Sequence, residues 1–268
     1  MTDAESQRSL STLFGRDTRS LSEVLGYTII FAIVLTSVTL LVVGGMSSLE
    51  QSRESEQVAN AERAFDVVAD NMAQIYERNA PSRATEIDLG TSEIFYASNV
   101  SMTVYVESET DGITEIDEFE YELRPIEMRV TDDESLVYEA GAVFRDRDDG
   151  AAMVRDPPLT LKSDRVTVPI VQTTAPGVES AGGTTILLRG QSVDRTVLED
   201  NSADSYTTVT IELAGSDRYE AWERYFTDIS AIESCTTDDA RRLVRCEVSG
   251  EPENLSVTRQ QIELSLII

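Results

Sequence analysis

The side chains able to do covalent or ligand chemistry in this 268-residue chain are few, and their types narrow the choices quickly. There is no His, so neither an imidazole base nor a Ser-His-Asp triad can be assembled. The single Lys, Lys162, follows a predicted strand and has no recognisable partner in sequence. Gly190-Gln-Ser-Val-Asp194 begins like a nucleophile elbow, but Asp194 stands where the second Gly belongs. Asp132-Asp-Glu134 and Asp146-Arg-Asp-Asp-Gly150 invite a calcium reading. The second lacks the alternating ligands and distant Glu of an EF-hand loop, and 49 acidic residues make such clusters by chance. Two Cys without His cannot hold zinc unless they recruit carboxylates. A carboxylate pair for glycoside hydrolysis is a matter of geometry that sequence spacing does not give. No enzyme, no cofactor and no metal site is expected.

Two kinds of covalent chemistry remain. Cys235 and Cys246 stand 11 residues apart. Outside a cell the expected fate of such a pair is an intramolecular disulfide across a hairpin or a helix–strand connection. In the chain-entropy model that short loop is worth ~3 kcal/mol, and two buried thiols are the alternative. Asn99-Val-Ser101 and Asn254-Leu-Ser256 are sequons, so N-glycosylation is permitted at Asn99 and Asn254 if the chain is exported.

Export is decided at the other end of the chain. Val24 to Met46 is a run of 23 residues without a charged side chain, and the uncharged tract continues to Leu49. At the helical rise such a run spans roughly 35 Å, enough to cross a bilayer core of about 30 Å. Thr28, Thr36, Ser37 and Thr39 interrupt it, but each hydroxyl can bond back to a carbonyl one turn earlier. Arg16 and Arg19 precede the run, while Glu50, Arg53, Glu54 and Glu56 follow it. The positive-inside tendency then keeps the N-terminus cytoplasmic and exports the long C-terminal part. The run is too long for an ordinary secretory signal, and no A-x-A-like site follows it. Glu23, just inside its start, needs a reason, because a carboxylate at the bilayer edge is costly unless paired or solvated. It either sits at headgroup level facing the positive end of the helix dipole, or it has a specific partner.

Arg19-Ser20-Leu21-Ser22-Glu23-Val24-Leu25-Gly26 supplies a candidate for that partner, since it resembles the class III signal of archaeal type IV pilins. In that family a basic and a small residue precede the cut, an acidic or polar residue follows, and an uncleaved apolar helix comes next. The resemblance implies that a prepilin peptidase cuts between Ser20 and Leu21, with Ser20 in the place most often taken by Gly. Leu21 becomes the mature N-terminus and Glu23 the third mature residue. Arg78-Asn-Ala-Pro-Ser-Arg-Ala-Thr-Glu-Ile-Asp-Leu89 is similar to haloarchaeal pilin-like proteins of unassigned function. A head this long fits a minor or pilin-like member better than a major subunit.

Charge fits the same reading. Acidic residues number 49 against 22 basic ones, for a net charge of −27. The leader is balanced, so the part beyond the membrane carries about −26. That field repels nucleic acid and anionic lipid, so a nucleic-acid partner is excluded. Even acidity with almost no Lys looks like a halophile surface kept soluble in strong salt.

The elements that must hold these residues follow in order. A polar leader, residues 1–20, precedes the transmembrane helix, residues 21–49. Val58, Ala61, Phe65, Val68, Met72 and Ile75 then recur at alternating spacings of three and four, which continues the helix over residues 50–79 until Pro81 stops it. That apolar seam packs either on the chain's own head or on a neighbour, and in a pilin both occur on different lengths of one helix. Gly44-Gly45 is its weak point. Residues 84–268 read as a β-rich, sandwich-like head, with a candidate lobe division near 175–183. Strands are predicted at 86–89, 94–96, 101–106, 119–123, 128–130, 135–138, 142–144, 165–171, 184–189, 206–213, 243–248 and 261–268. One short amphipathic helix is predicted at 217–228. The fold class is α+β.

Two functions of different class remain. One is a pilin-like subunit of the cell surface, leader-cleaved, partnered by prepilin peptidase and by other pilin-like subunits, and assembled through its helix into a filament for adhesion or surface structure. The other is an uncleaved single-pass membrane protein whose β head binds a partner or wall component. A signalling ectodomain is weaker, because 20 leader residues leave no room for an output domain.

Overall fold

A computed structural model of the chain describes residues 17–201, 203 and 205–268, with side chains described for all of these except 17–23, 47, 48, 50 and 51. Helix α1 covers Asp17–Arg78, and its residues belong to two compact units, one ending at Ser55 and one running from Glu56 to Ile268. Gly44 and Gly45 are both helical. The helix ends where Asn79 turns into the left-handed region at φ 55°, with the Ala80 amide donating to the Gln74 carbonyl at 3.1 Å. Pro81 follows, so the chain has no amide there with which to continue the helix.

Beyond α1 the chain is mostly strand. In order come β1 (Ser82–Asp88), β2 (Glu93–Tyr96), β3 (Val100–Thr110), β4 (Ile113–Leu123), β5 (Ile126–Arg129), β6 (Glu134–Glu139), β7 (Ala142–Arg147) and β8 (Gly150–Arg155). Then follow β9 (Thr160–Leu161), β10 (Arg165–Thr174), β11 (Ser180–Gly182), β12 (Thr185–Asp200) and β13 (Ser205–Ala214). Helix α2 (Tyr219–Thr227) precedes β14 (Ile232–Asp238), β15 (Leu243–Val248) and β16 (Asn254–Ile267).

These strands form three sheets. The first has the order β1-β12-β16-β10-β9, the second β11-β2-β5-β6-β7-β8, and the third β14-β15-β13-β3-β4. Pairing is antiparallel except between β10 and β16. Tight turns fix the hairpin registers. Asp111 and Gly112, at φ 53° and 76°, join β3 to β4 with Thr110 opposite Ile113. Ala140 and Gly141, at φ 51° and 89°, join β6 to β7 in the same way. A Cβ on Gly141 would lie 2.5 Å from Cδ of Pro158, so the position excludes side chains on two counts. Residues 175–183, read as a candidate lobe division, contain β11, which pairs with β2 inside the single unit 56–268.

Two cores result. In the first, the seam Val58, Ala61, Phe65, Val68, Met72 and Ile75 is buried to the last residue. It shares that core with Ile186, Leu188 and Leu264 of the first sheet and with Ile94, Ile126 and Leu136 of the second. Gly190 on β12 lets the helix come close, since a Cβ there would meet Cε and Sδ of Met72 at 2.7 Å. The second core joins Val104, Ile211 and Val244 of the third sheet to Val168 and Val257 of the first and Phe144 of the second. Trp222 of α2 fills its centre, with its ring 5.4 Å from that of Phe144 and 5.8 Å from that of Phe226.

Candidate functional site

Among the described residues one helical stretch, Val24–Met46, is long and apolar enough to cross a membrane, and none of it is buried. The hydroxyls of its three threonines are satisfied internally. The Thr28 hydroxyl donates to the carbonyls of Val24 and Leu25 at 3.0 and 2.9 Å, Thr36 to Ala32 at 2.7 Å, and Thr39 to Leu35 at 2.8 Å. Those bonds remove the cost of carrying hydroxyls into an apolar medium. The backbone of Arg19, Ser20, Leu21 and Glu23 lies in α1, while their side chains and residues 1–16 lie outside the described residues.

Cys235 on β14 and Cys246 on β15 are directly opposed in antiparallel register and joined by a disulfide. Of the two connections expected, a hairpin or a helix–strand connection, the hairpin is the one present. Asn99 sits just before β3 and Asn254 is the first residue of β16, both exposed.

The two carboxylate clusters come together, because β6 pairs with β7 so that Glu134 faces Arg147. A surface hollow of about 220 Å³ is lined by Asp132, Asp133, Glu134, Asp146 and Asp148, with Arg129 and Arg147 among them. Glu134 accepts hydrogen bonds from Arg145 and, at 3.4 Å, from Arg147. Among the described residues no three acidic or Cys side chains are grouped to hold a metal ion.

One constellation had no signal in the sequence. Glu139, at the end of β6, is fully buried and its carboxylate is saturated. Oε1 accepts from Ser216 Oγ at 2.6 Å and Trp222 Nε1 at 2.8 Å, while Oε2 accepts from Arg218 Nε and Nη2 at 3.0 and 2.9 Å. Arg218 also donates to Asp146 at 3.1 Å. Burial alone would lower the Arg218 pKa, but Glu139 and Asp146 outweigh it and hold the guanidinium above its ordinary value. This pair ties α2 to the second sheet. Both Glu139 oxygens are occupied by donors of the protein itself, so the buried pair acts as a structural tie between β6 and the start of α2. Only three-dimensional pairing reveals it, since Glu139 and Arg218 lie on elements far apart in sequence.

The described residues define an architecture: one exposed helix long and apolar enough to cross a membrane, followed by a β-rich unit with an internal disulfide. The chain belongs to DUF7289, a family of unknown function, whose model matches residues 19–265. Searches of curated proteins and of solved structures return no match.

Proposed function

We propose that the chain is a pilin-like subunit of the cell surface: single-pass, amino terminus cytoplasmic, head outside, cleaved by a prepilin peptidase between Ser20 and Leu21. It then assembles with other pilin-like subunits through its apolar helix, as part of an adhesive or structural filament. The observation that carries this reading is the division of labour along α1. Residues 24–46 are apolar on every face with no burial, which suits lipid or a bundle of like helices. The seam from Val58 to Ile75 is taken up by the head itself, so helix-mediated subunit contacts fall to residues before Glu56.

Removal of the leader frees the α-amino group of Leu21, a cation two residues from Glu23. In an apolar filament core an unpaired carboxylate costs several kcal/mol, so pairing of Glu23 with a neighbour's amine sets the register between subunits. The head contributes shape and surface rather than catalysis. Its charge keeps nucleic acid away.

Intact mass or N-terminal sequencing of the membrane-extracted protein tests the processing step. Leu21 as the first residue, with loss of assembly in Glu23→Ala, is the expected result. A leader intact on every molecule in cells with active prepilin peptidase would leave the uncleaved membrane anchor, whose head binds a partner or wall component, in its place.

A further inference from the structure

We propose that Asn254 is the glycan acceptor of this chain and that Asn99 is not. The inference rests on export of the head as proposed above, and it distinguishes two sequons that are equivalent in sequence. The step is transfer of an oligosaccharide from a phosphate-activated lipid carrier. Nδ2 of the asparagine bonds to the anomeric carbon, the bond from that carbon to the carrier phosphate breaks, the phosphate leaves with the electron pair, and the amide gives up one proton to base.

Three differences separate the sites. The first is the state of the amide. Asn99 Nδ2 donates to Glu122 Oε2 at 3.2 Å, so the attacking nitrogen is turned onto β4. The side chain of Asn254 makes no hydrogen bond among the described residues and is exposed; only its backbone amide is engaged, with the Asp164 carbonyl at 3.2 Å. The second is the hydroxyl that completes each sequon. Ser101 Oγ donates to Glu120 Oε1 at 2.9 Å, whereas Ser256 has no side-chain bond among the described residues. Both polar groups of the first sequon are thus held by carboxylates of one neighbouring strand, and both groups of the second are available.

The third difference is charge. The leaving group is an anion, and Glu120 and Glu122 beside Asn99 repel it. Asn254 lies opposite Arg165 in the parallel pairing of β10 with β16, and the turn before Arg165 holds Lys162. In a chain with 22 basic residues among 268, two cations beside one sequon is a local exception. Asp164 and Glu253 flank the site and Asp200 stands opposite Ser256, so the two cations are set among three carboxylates rather than facing none.

Glycopeptide mass spectrometry on protein extracted from cells with an active oligosaccharyl transferase tests the assignment. The peptide carrying Asn254 is expected to bear the whole added mass and the peptide carrying Asn99 none. Asn254→Gln and Ser256→Ala should each remove that mass, Ser256→Thr should keep it, and Asn99→Gln should leave it unchanged. Export is read separately on the same cells, by labelling the sole lysine with a membrane-impermeant amine reagent and using Lys162→Arg as the blank. Lys162 labelled with Asn254 bare, or with Asn99 carrying glycan, overturns the assignment and leaves the surface reading standing. Lys162 protected in intact cells, but reactive once they are lysed, overturns both.

Discussion

Residues 24–46 and residues 58–75 are helical stretches built from much the same apolar alphabet, and they meet opposite surroundings. Phe31 is 55% exposed and Leu41 75%, while Phe65 and Met72 are at 0%. The difference lies in spacing rather than in hydrophobicity. The first stretch is apolar on every face, so no single protein surface could cover it. The second gathers its large apolar residues, Val67 excepted, into one seam and gives Asp66, Asp70 and Glu77 to the exposed side, so two sheets suffice. An all-round apolar helix requires a medium or a ring of like helices. A seam requires a partner, and here the partner is in the same chain.

The sharpest way to break that contrast is to delete the same ring from both stretches. Phe65→Ala leaves a cavity where helix and sheets meet, and should cost the head about 3–5 kcal/mol. Phe31→Ala removes an equal ring from an exposed position, and should leave the head's melting temperature in detergent unchanged. Thermal unfolding followed by the near-ultraviolet signal of Trp222 compares the two. A loss of head stability in Phe31→Ala would mean that the first stretch also packs on the head.

A smaller effect tests how closely the second stretch is seated. In Gly190→Ala the new Cβ would meet the end of Met72 at 2.7 Å and Ile75 Cδ1 at 3.2 Å inside a closed core. Crowding of that kind costs about 1–3 kcal/mol, whereas the loss of glycine's freedom in the unfolded chain returns only about 0.4–1 kcal/mol. The net expectation is destabilisation, checked by denaturant unfolding. The double variant with Met72→Ala should lose less than the sum of the two single changes, because each relieves the other. Additive losses would show that Gly190 and Met72 are not in contact.

Much of this fold is legible in the sequence wherever one face of an element is buried. The seam at spacings of three and four pointed to a one-sided helix, and all six of its residues are buried. The alternation in 101–106 and 206–213 gave the neighbouring strands β3 and β13, which lie at the middle of the third sheet. Several of the segments that escaped lack a clean buried face. In β4, residues Ile113 to Glu118 are exposed on both sides at a sheet edge, so their acids break the alternation. In β14 the cysteine is flanked by small polar residues, again at an edge. The later part of β12 carries register shifts at Ser192–Asp194 and Val197–Glu199, which interrupt a period of two. The cysteine pairing was legible because the chain has two cysteines only 11 residues apart. The Glu139–Arg218 pair was not, since nothing in spacing brings β6 to the start of α2.

The mildest test of the comparison uses proton binding at Tyr76, the residue that follows the second stretch in α1. Tyr76 is pushed up to about 12, chiefly by burial and then by the neighbouring Glu77, with Arg155 pulling the other way. Its phenol therefore keeps its proton in the folded protein over a range where the unfolded chain, near 10, has already lost it. The folded state binds the extra proton, so stability is fully present below about pH 10 and falls as pH rises towards 12. Tyr138 is driven up in the same direction by complete burial. Tyr76→Phe should flatten part of that alkaline loss without altering unfolding at pH 7 by more than about 1 kcal/mol. Tyr138→Phe separates the phenol from the ring. Its Oη is buried with no hydrogen-bond partner among the described residues. Removing that oxygen should leave stability at pH 7 unchanged or raised by about 1 kcal/mol, since an unpaired buried hydroxyl gives nothing back for its desolvation. A clear loss in Tyr138→Phe at pH 7 would mean that a water bonds the hydroxyl in solution. An alkaline profile identical in Tyr76→Phe and the parent would mean that Tyr76 meets water, and that the second stretch is less enclosed than its seam requires.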